Sequence, residues 1–321
     1  MRFRLAKVTF NAGVQRLLLS ADWCDMTNDQ IGISMRIGAT LFFTLMVLCV
    51  KLTSGTIPLG QMVFFRSAIA LIPLVLFLRL SDDFPGGLST KRPFGHIRRC
   101  LLGAAAMFSS FATIRYLPIA EATIIGYVTP IFTVILARII LGEQVTSARW
   151  IGVALGFSGI LTLILPQLTG IQGNEDYLIG VSLGFLTAML TSVAMIQVRS
   201  LTKTENAGAI AFYFALTCAV FGGATLPLGW ATPSLEEYAL LIGAGFAGGV
   251  AHILMTLGYK YSEASKLAPF EYLSLVFAVL ADLLIFNIIP GSNFYVAAAF
   301  IIASVSFVAM KDRPKGKAVR T

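Results

Sequence analysis

The sequence predicts an all-α integral membrane protein: ten transmembrane helices as two inverted five-helix repeats, both termini cytoplasmic. Three observations carry that expectation. Ten apolar runs, each of about the ~20 residues in which an α-helix crosses a hydrocarbon core, fill the chain between Met35 and Met310. Lys and Arg gather on one side of these runs, which sets the orientation. The second half repeats the first with an odd number of runs per copy, so the copies must enter the bilayer from opposite sides.

Composition leaves room for little else. Apolar residues make up 57% of the 321 and charged residues 12%, against ~25% charged in a soluble domain. The mean hydropathy is +0.82. The net charge of +8 is dispersed over helix ends, short loops and termini, not gathered into the basic patch of a nucleic-acid interface. Cys24, Cys49, Cys100 and Cys218 are scattered without a CxxC, so neither a disulfide framework nor a metal site is expected. Arg2, Arg4, Lys7 and Arg16 precede any sustained apolar run, and no cleaved signal peptide is expected. Residues 1–30 read as a cytoplasmic tail, or as an over-long gene start with initiation at Met26 or Met35; residues 311–321 read as a second tail.

In chain order the expected spans are 35–53, 59–80, 98–116, 120–141, 149–166, 178–198, 208–228, 238–258, 263–286 and 293–310. Asp82 to Gly87 separates the second from the third, Leu165-Pro166 closes the fifth, and Gly229 to Ser234 separates the seventh from the eighth. With the N-terminus inside, only Lys51 and Arg115 flank the outer side and Arg66 lies within a span. The rest of the 24 basic residues fall on the inner side, while outer loops carry Glu175-Asp176 and Glu236-Glu237. Both termini inside requires an even number of spans, and ten fits.

The repeat is seen where Ala120-Glu121-Ala122-Thr123 opens the fourth span and Ser262-Glu263-Ala264-Ser265 the ninth, 142 residues later, with Gly103 and Gly245 at the same offset. Residues 31–168 and 177–310 are thus the two five-helix units. Glycines four apart in the fifth and eighth spans (Gly152 and Gly156; Gly245 and Gly249) let backbones approach closely in lipid, and packing is their simplest role.

Beyond these patterns, the chain resembles EamA-type carriers of the drug/metabolite transporter superfamily. The matching segments are Phe64-Phe65-Arg66-Ser67, Leu117 to Ala122, Thr129-Pro130-Ile131-Phe132, Leu141-Gly142-Glu143, Trp150-Ile151-Gly152, Gly249 to Tyr259 and Ala268 to Tyr272. Together they cover roughly residues 31–310, and the order and spacing carry the likeness. One departure is Phe286-Asn287 in place of a second Leu-Gly-Glu. The resemblance implies secondary transport of a small organic metabolite across the bacterial inner membrane by a monomer or homodimer, without a cofactor. It is nearer to branches that take up S-adenosylmethionine or riboflavin, and amino-acid-like metabolites also fit.

Ionisable side chains inside spans are costly and are functional candidates for that reason. Arg66 lies about 12 Å into the second span, and with Lys51 it could receive a carboxylate; alternatively both snorkel to the outer interface. Glu271 lies near the midplane of the ninth span beside Pro269, placed to hold a proton or a cationic group, or to make a structural hydrogen bond. His252, mid-way along the eighth span, is either a proton relay or a neutral bridge between helices. Pro130 and Pro269 mark matched interruptions, the best sequence pointer to a transporter binding site. Tyr127, Phe132, Phe270 and Tyr272 beside them line a cavity or face lipid. Glu143 and Arg149 flank the turn between spans four and five as a gate, or as a surface pair. Glu121 and Glu263 are expected at helix N-termini, Trp150 as an interface anchor, and Asp282 in water.

Other function classes lack their residues. There is no Walker A motif to bind ATP. His96 and His252 stand on different segments, with no HExxH and no GxSxG, so an embedded enzyme is the least favoured reading. A channel or a non-transport membrane partner is the alternative to a carrier. Apolar lining favours a ligand with a flat or hydrophobic portion and one charged group.

Overall fold

The computed structural model describes residues 27–81, 84–141, 147–169, 175–202, 204–262, 267, 270 and 273–311. Eleven α-helices are described: α1 (Asn28–Thr53), α2 (Leu59–Leu80), α3 (Pro93–Tyr116), α4 (Ile119–Gly126), α5 (Thr129–Leu141), α6 (Ser147–Thr169), α7 (Glu175–Leu201), α8 (Ala207–Gly223), α9 (Leu235–Tyr261), α10 (Leu273–Ile285) and α11 (Ser292–Lys311). Among the described residues six helices are long and apolar enough to cross a membrane, and four apolar helices are shorter. This is a multi-pass, all-helical membrane protein.

The helix starts follow local chemistry. Thr27 and Gln30 form a capping box at α1, and Ser234 with Glu237 form another at α9. Each box satisfies two backbone amides that have no intrahelical partner. The first box starts α1 at Asn28, ahead of the apolar run that marked the span. Asn206 caps α8. Pro93 opens α3, where a missing amide costs nothing.

The fourth span is two helices. The break falls at Tyr127-Val128, whose amides still bond back to Ile124 and Ile125. Pro130 lies in the first turn of α5, where proline is tolerated, so the interruption precedes it. At the end of α10, Asn287 adopts φ 55°, and the Phe286 and Ile288 amides both return to the Asp282 carbonyl. A left-handed residue is a common way to close a helix, and Asn tolerates it better than most side chains. The departure at Phe286-Asn287 therefore serves as a helix cap.

Packing repeats across the chain. Helix α1 packs on α9 as α3 packs on α7, α2 on α9 as α3 on α8, and α1 on α10 as α5 on α7. Three further pairs are α2 with α8, α6 with α11, and α4 with α10; the first two join helices at the same place in the repeat, and the third joins parts of the fourth and ninth spans. Close approaches fix their directions. Gly60 meets Thr225 while Gly208 meets Leu78, so α2 and α8 are antiparallel. Asp282 meets Ile119 while Ser274 meets Tyr127, so α4 and α10 are antiparallel. By contrast Gly245 meets Ile69 and Gly249 meets Pro73, so α2 and α9 are parallel.

Two apolar clusters result. One joins α4, α5, α7, α10 and α11 around Ile124, Ile131 and Ile301; the other joins α1, α2, α3, α8 and α9 around Met62, Phe111 and Leu241. Outward positions such as Ile72 and Leu284 stay 62% and 73% exposed, as a lipid-facing surface requires. Trp150 is exposed, in keeping with an interface anchor.

Candidate functional site

Helix α3 lays Arg99, Gly103, Met107 and Ser110 along one stripe, and α7 lays Thr187, Thr191, Ala194 and Val198 along another. Both follow the three-to-four-residue spacing that keeps side chains on one helix face. The stripes line a cavity of about 220 Å³, to which Phe214 of α8 and His252 of α9 also contribute. A second cavity of about 150 Å³ adjoins it, sharing Ser110 and Thr187 and running on to Thr113, Ile119 and Thr123. The walls are apolar with a few hydroxyls, the composition of a small-molecule site.

Arg99 is the cationic group of this lining. Its guanidinium carbon sits 4.1 Å from the centre of the Phe214 ring, a cation–π contact. Gly103, one turn on, makes room for it, since a Cβ there would collide with Nη1. The buried Nε and Nη1 have no hydrogen-bond partner.

Arg66 lies behind the cavity, fully buried at 2% exposure. Nε contacts Met46 Sδ at 3.3 Å and Nη2 lies 3.3 Å from His252 Nε2. Guanidinium only donates, so His252 Nε2 is the acceptor of that bond. The imidazole also stands edge-on to Phe43, 5.1 Å between ring centres. Gly248 lets this group pack, with Met46 and Arg66 against its bare Cα.

Lys51 does not join Arg66. Its Nζ donates to the Ile114 and Leu117 carbonyls at 2.7 and 2.8 Å, at the negative end of α3. Asp282 lies opposite, and here the expectation of a water-exposed carboxylate fails. It is 0% exposed, and its two oxygens accept from the Ile119 and Ala120 amides at 3.0 and 2.7 Å. The cause is the break at Leu117-Pro118, which leaves a helix end on each side that needs partners in a dry interior. A cation on the carbonyl end and an anion on the amide end match both helix dipoles, and Lys51 and Asp282 attract each other through space.

Asp282 thus takes the capping role expected of Glu121. Glu121 sits in the first turn of α4; its Oε2 is buried without a partner, and the carboxylate also accepts from Tyr177. Tyr127 bonds Ser274 at 2.5 Å across α4 and α10. Phe270 is half-buried. Phe132 packs edge-on against Phe157 and Phe185, inside the protein. Glu143, Glu263, Pro269, Glu271 and Tyr272 lie outside the described residues, as do the side chains of Pro130 and Arg149.

Sequence reasoning counted Arg99 among the inner-side charges, because it falls at the start of its apolar run. The usable signal was Gly103 one helical turn later, a missing side chain beside a cation. For Asp282 it was a single acid on an apolar helix carrying no cation of its own.

Comparison with known proteins bears on what this cavity is for. The model of the EamA-like transporter family matches the chain twice, over residues 30–165 and 178–310. A curated S-adenosylmethionine uptake transporter from Rickettsia prowazekii is 30% identical over 250 residues, 78% of this chain and 81% of that protein. A riboflavin transporter from Rhizobium johnstonii is 31% identical over 222 residues, 69% of this chain and 72% of the relative. The pseudopaline exporter CntI of Pseudomonas aeruginosa is 24% identical over 289 residues, 89% and 97% of the two chains. A crystal structure at 19% identity shares the fold with a TM-score of 0.62, covering 87% of this chain and 98% of the other.

Proposed function

We propose, because this chain belongs to the EamA-like transporter family, that its work is done by two inverted five-helix repeats rocking about the cavity between α3 and α7. The protein is a small-metabolite transporter and not an enzyme. Alternating access moves the metabolite, and the setting is a bacterial inner membrane with both termini in the cytoplasm.

The observation that carries this reading is the position of the cavity. Its two walls come from the third helix of one half and the first helix of the other, where an inverted-repeat transporter binds its substrate. The packing supports the inversion. The corresponding helices α2 and α8 meet antiparallel, as do α4 and α10 of the corresponding fourth and ninth spans, which needs a two-fold axis across the helices and not along them. The broken fourth span (α4 with α5) and the shorter apolar stretches of α6, α10 and α11 would complete ten spans with the six longer helices.

In this scheme the Lys51 and Asp282 contacts hold the outer end shut, and Glu143 with Arg149 gate the inner turn. Substrates of the S-adenosylmethionine, riboflavin or amino-acid-like classes fit the cavity and the relatives. Arg66, bonded to His252, makes its back wall electropositive, and Glu271 is the candidate coupling acid. Uptake of S-adenosylmethionine and riboflavin into cells tests the assignment. Arg66→Ala and Glu271→Gln should each abolish uptake at normal membrane levels of protein; unchanged uptake by both would remove these residues from the mechanism.

A further inference from the structure

Arg99 in the cavity lining and Arg66 buried behind it are two guanidiniums with no carboxylate among the described lining residues to balance them. Arg66 spends its donors on a thioether and an imidazole. Arg99 leaves two buried nitrogens without any partner. A desolvated cation with unmet donors is costly, and it persists where something else supplies the acceptor. We infer that the missing acceptor is the substrate: the cavity takes a metabolite bearing a single carboxylate, which docks on Arg99.

The geometry selects the class. Arg99 is held over the Phe214 ring at 4.1 Å, so the guanidinium is positioned before any ligand arrives, and its planar fork matches a carboxylate. A phosphate dianion would call for further cations or free amides beside Arg99, and the described lining supplies hydroxyls, methionines and small side chains instead. The described lining contains no acid, so a ligand whose only charge is positive finds repulsion and no partner. Met107, Met195 and Phe214 offer a soft apolar surface to the remainder of the ligand, suited to a flat ring. Arg99 therefore takes the carboxylate-receiving role expected of Arg66 with Lys51, because Lys51 is consumed by the end of α3 and Arg66 is turned to Met46 and His252.

The inference rests on the transport reading, and binding measurements separate the two. Full-length protein in nanodiscs is titrated with S-adenosylmethionine and with its decarboxylated form, which keeps the adenine, sulfonium and amine. The wild type should prefer the carboxylate form by about tenfold or more, the worth of a charge-assisted hydrogen bond. Arg99→Gln should lose that preference, weakening the carboxylate form while the decarboxylated ligand, no longer repelled, binds more tightly than to the wild type, and Arg99→Lys, which keeps charge without the fork, should fall between. Riboflavin, which has no carboxylate, serves as a second ligand for the folded variants. The assignment is overturned if the wild type does not bind S-adenosylmethionine or binds both forms equally, or if Arg99→Gln weakens both forms alike. Riboflavin transport insensitive to Arg99 alongside any of these outcomes would leave the carrier reading intact.

Discussion

Single side chains decide how the broken helices are held. Asp282 accepts two backbone amides of α4, and Lys51 donates to two carbonyls of α3. Removing a buried charged acceptor from amides that cannot reach water costs about 1.5–3 kcal/mol. Asp282→Ala and Lys51→Met should each lower denaturation stability in detergent by that order. Because both act on the Leu117-Pro118 break, the double variant should lose less than the two losses added; strictly additive losses would separate the roles. The sequence marks Lys51, Arg66 and His252 as costly ions but not their partners, since periodicity assigns a residue to a helix face and leaves open what that face meets. Arg66 and His252 are 186 residues apart and 3.3 Å from each other, a pairing that only the packing of α2 on α9 creates.

At the scale of the helices, glycine sets the spacing. A Cβ on Gly222 would lie 2.6 Å from the Phe64 amide nitrogen and 2.8 Å from its Cα, and backbone atoms can yield only if α2 and α8 part. Gly222→Val should therefore sharply reduce folded protein recovered from membranes, whereas Gly243→Ala, whose Cβ meets only Cys49 Sγ at 3.7 Å, should match the wild type. Small residues four apart announce such contacts in the sequence without naming the partner helix. The break at Tyr127-Val128 was legible only to within a turn, because proline marks a helix start as readily as an interruption.

Outside the membrane, Glu205 fastens the segment before α3 to the α7–α8 turn. Desolvation opposes its charge. Hydrogen bonds from Thr90, the Lys91 amide at 3.1 Å and His96 at 3.4 Å outweigh that and hold its carboxyl below the usual range. A depressed carboxylate contributes stability above its unfolded pKa and loses it as pH falls through the folded one. Protection of the Lys91 amide from hydrogen exchange should weaken on acidification below the ordinary glutamate range. Glu205→Gln should remove that pH dependence, and a variant that kept it would place the titrating group elsewhere.

For the whole molecule, long apolar runs made the helical membrane fold readable, because bilayer thickness imposes a length that survives without any knowledge of contacts. The cavity was not readable. Its walls belong to α3 and α7, whereas the sequence pointed to the proline-interrupted fourth and ninth spans. Lys51 and Asp282 instead satisfy the helix ends at the Leu117-Pro118 break between α3 and α4, next to the second cavity. Gathering of charge at a break, more than proline itself, marks this region.

The central claim is a carrier with one central site exposed alternately to each side. Counterflow in proteoliposomes tests it most directly, with purified protein, labelled S-adenosylmethionine or riboflavin outside and the same compound unlabelled inside. The carrier account predicts saturable uptake of at least one compound, accelerated by the internal load and absent from protein-free vesicles. Uptake that rises linearly with concentration and ignores the internal load, or no uptake above protein-free vesicles for either compound, would contradict it.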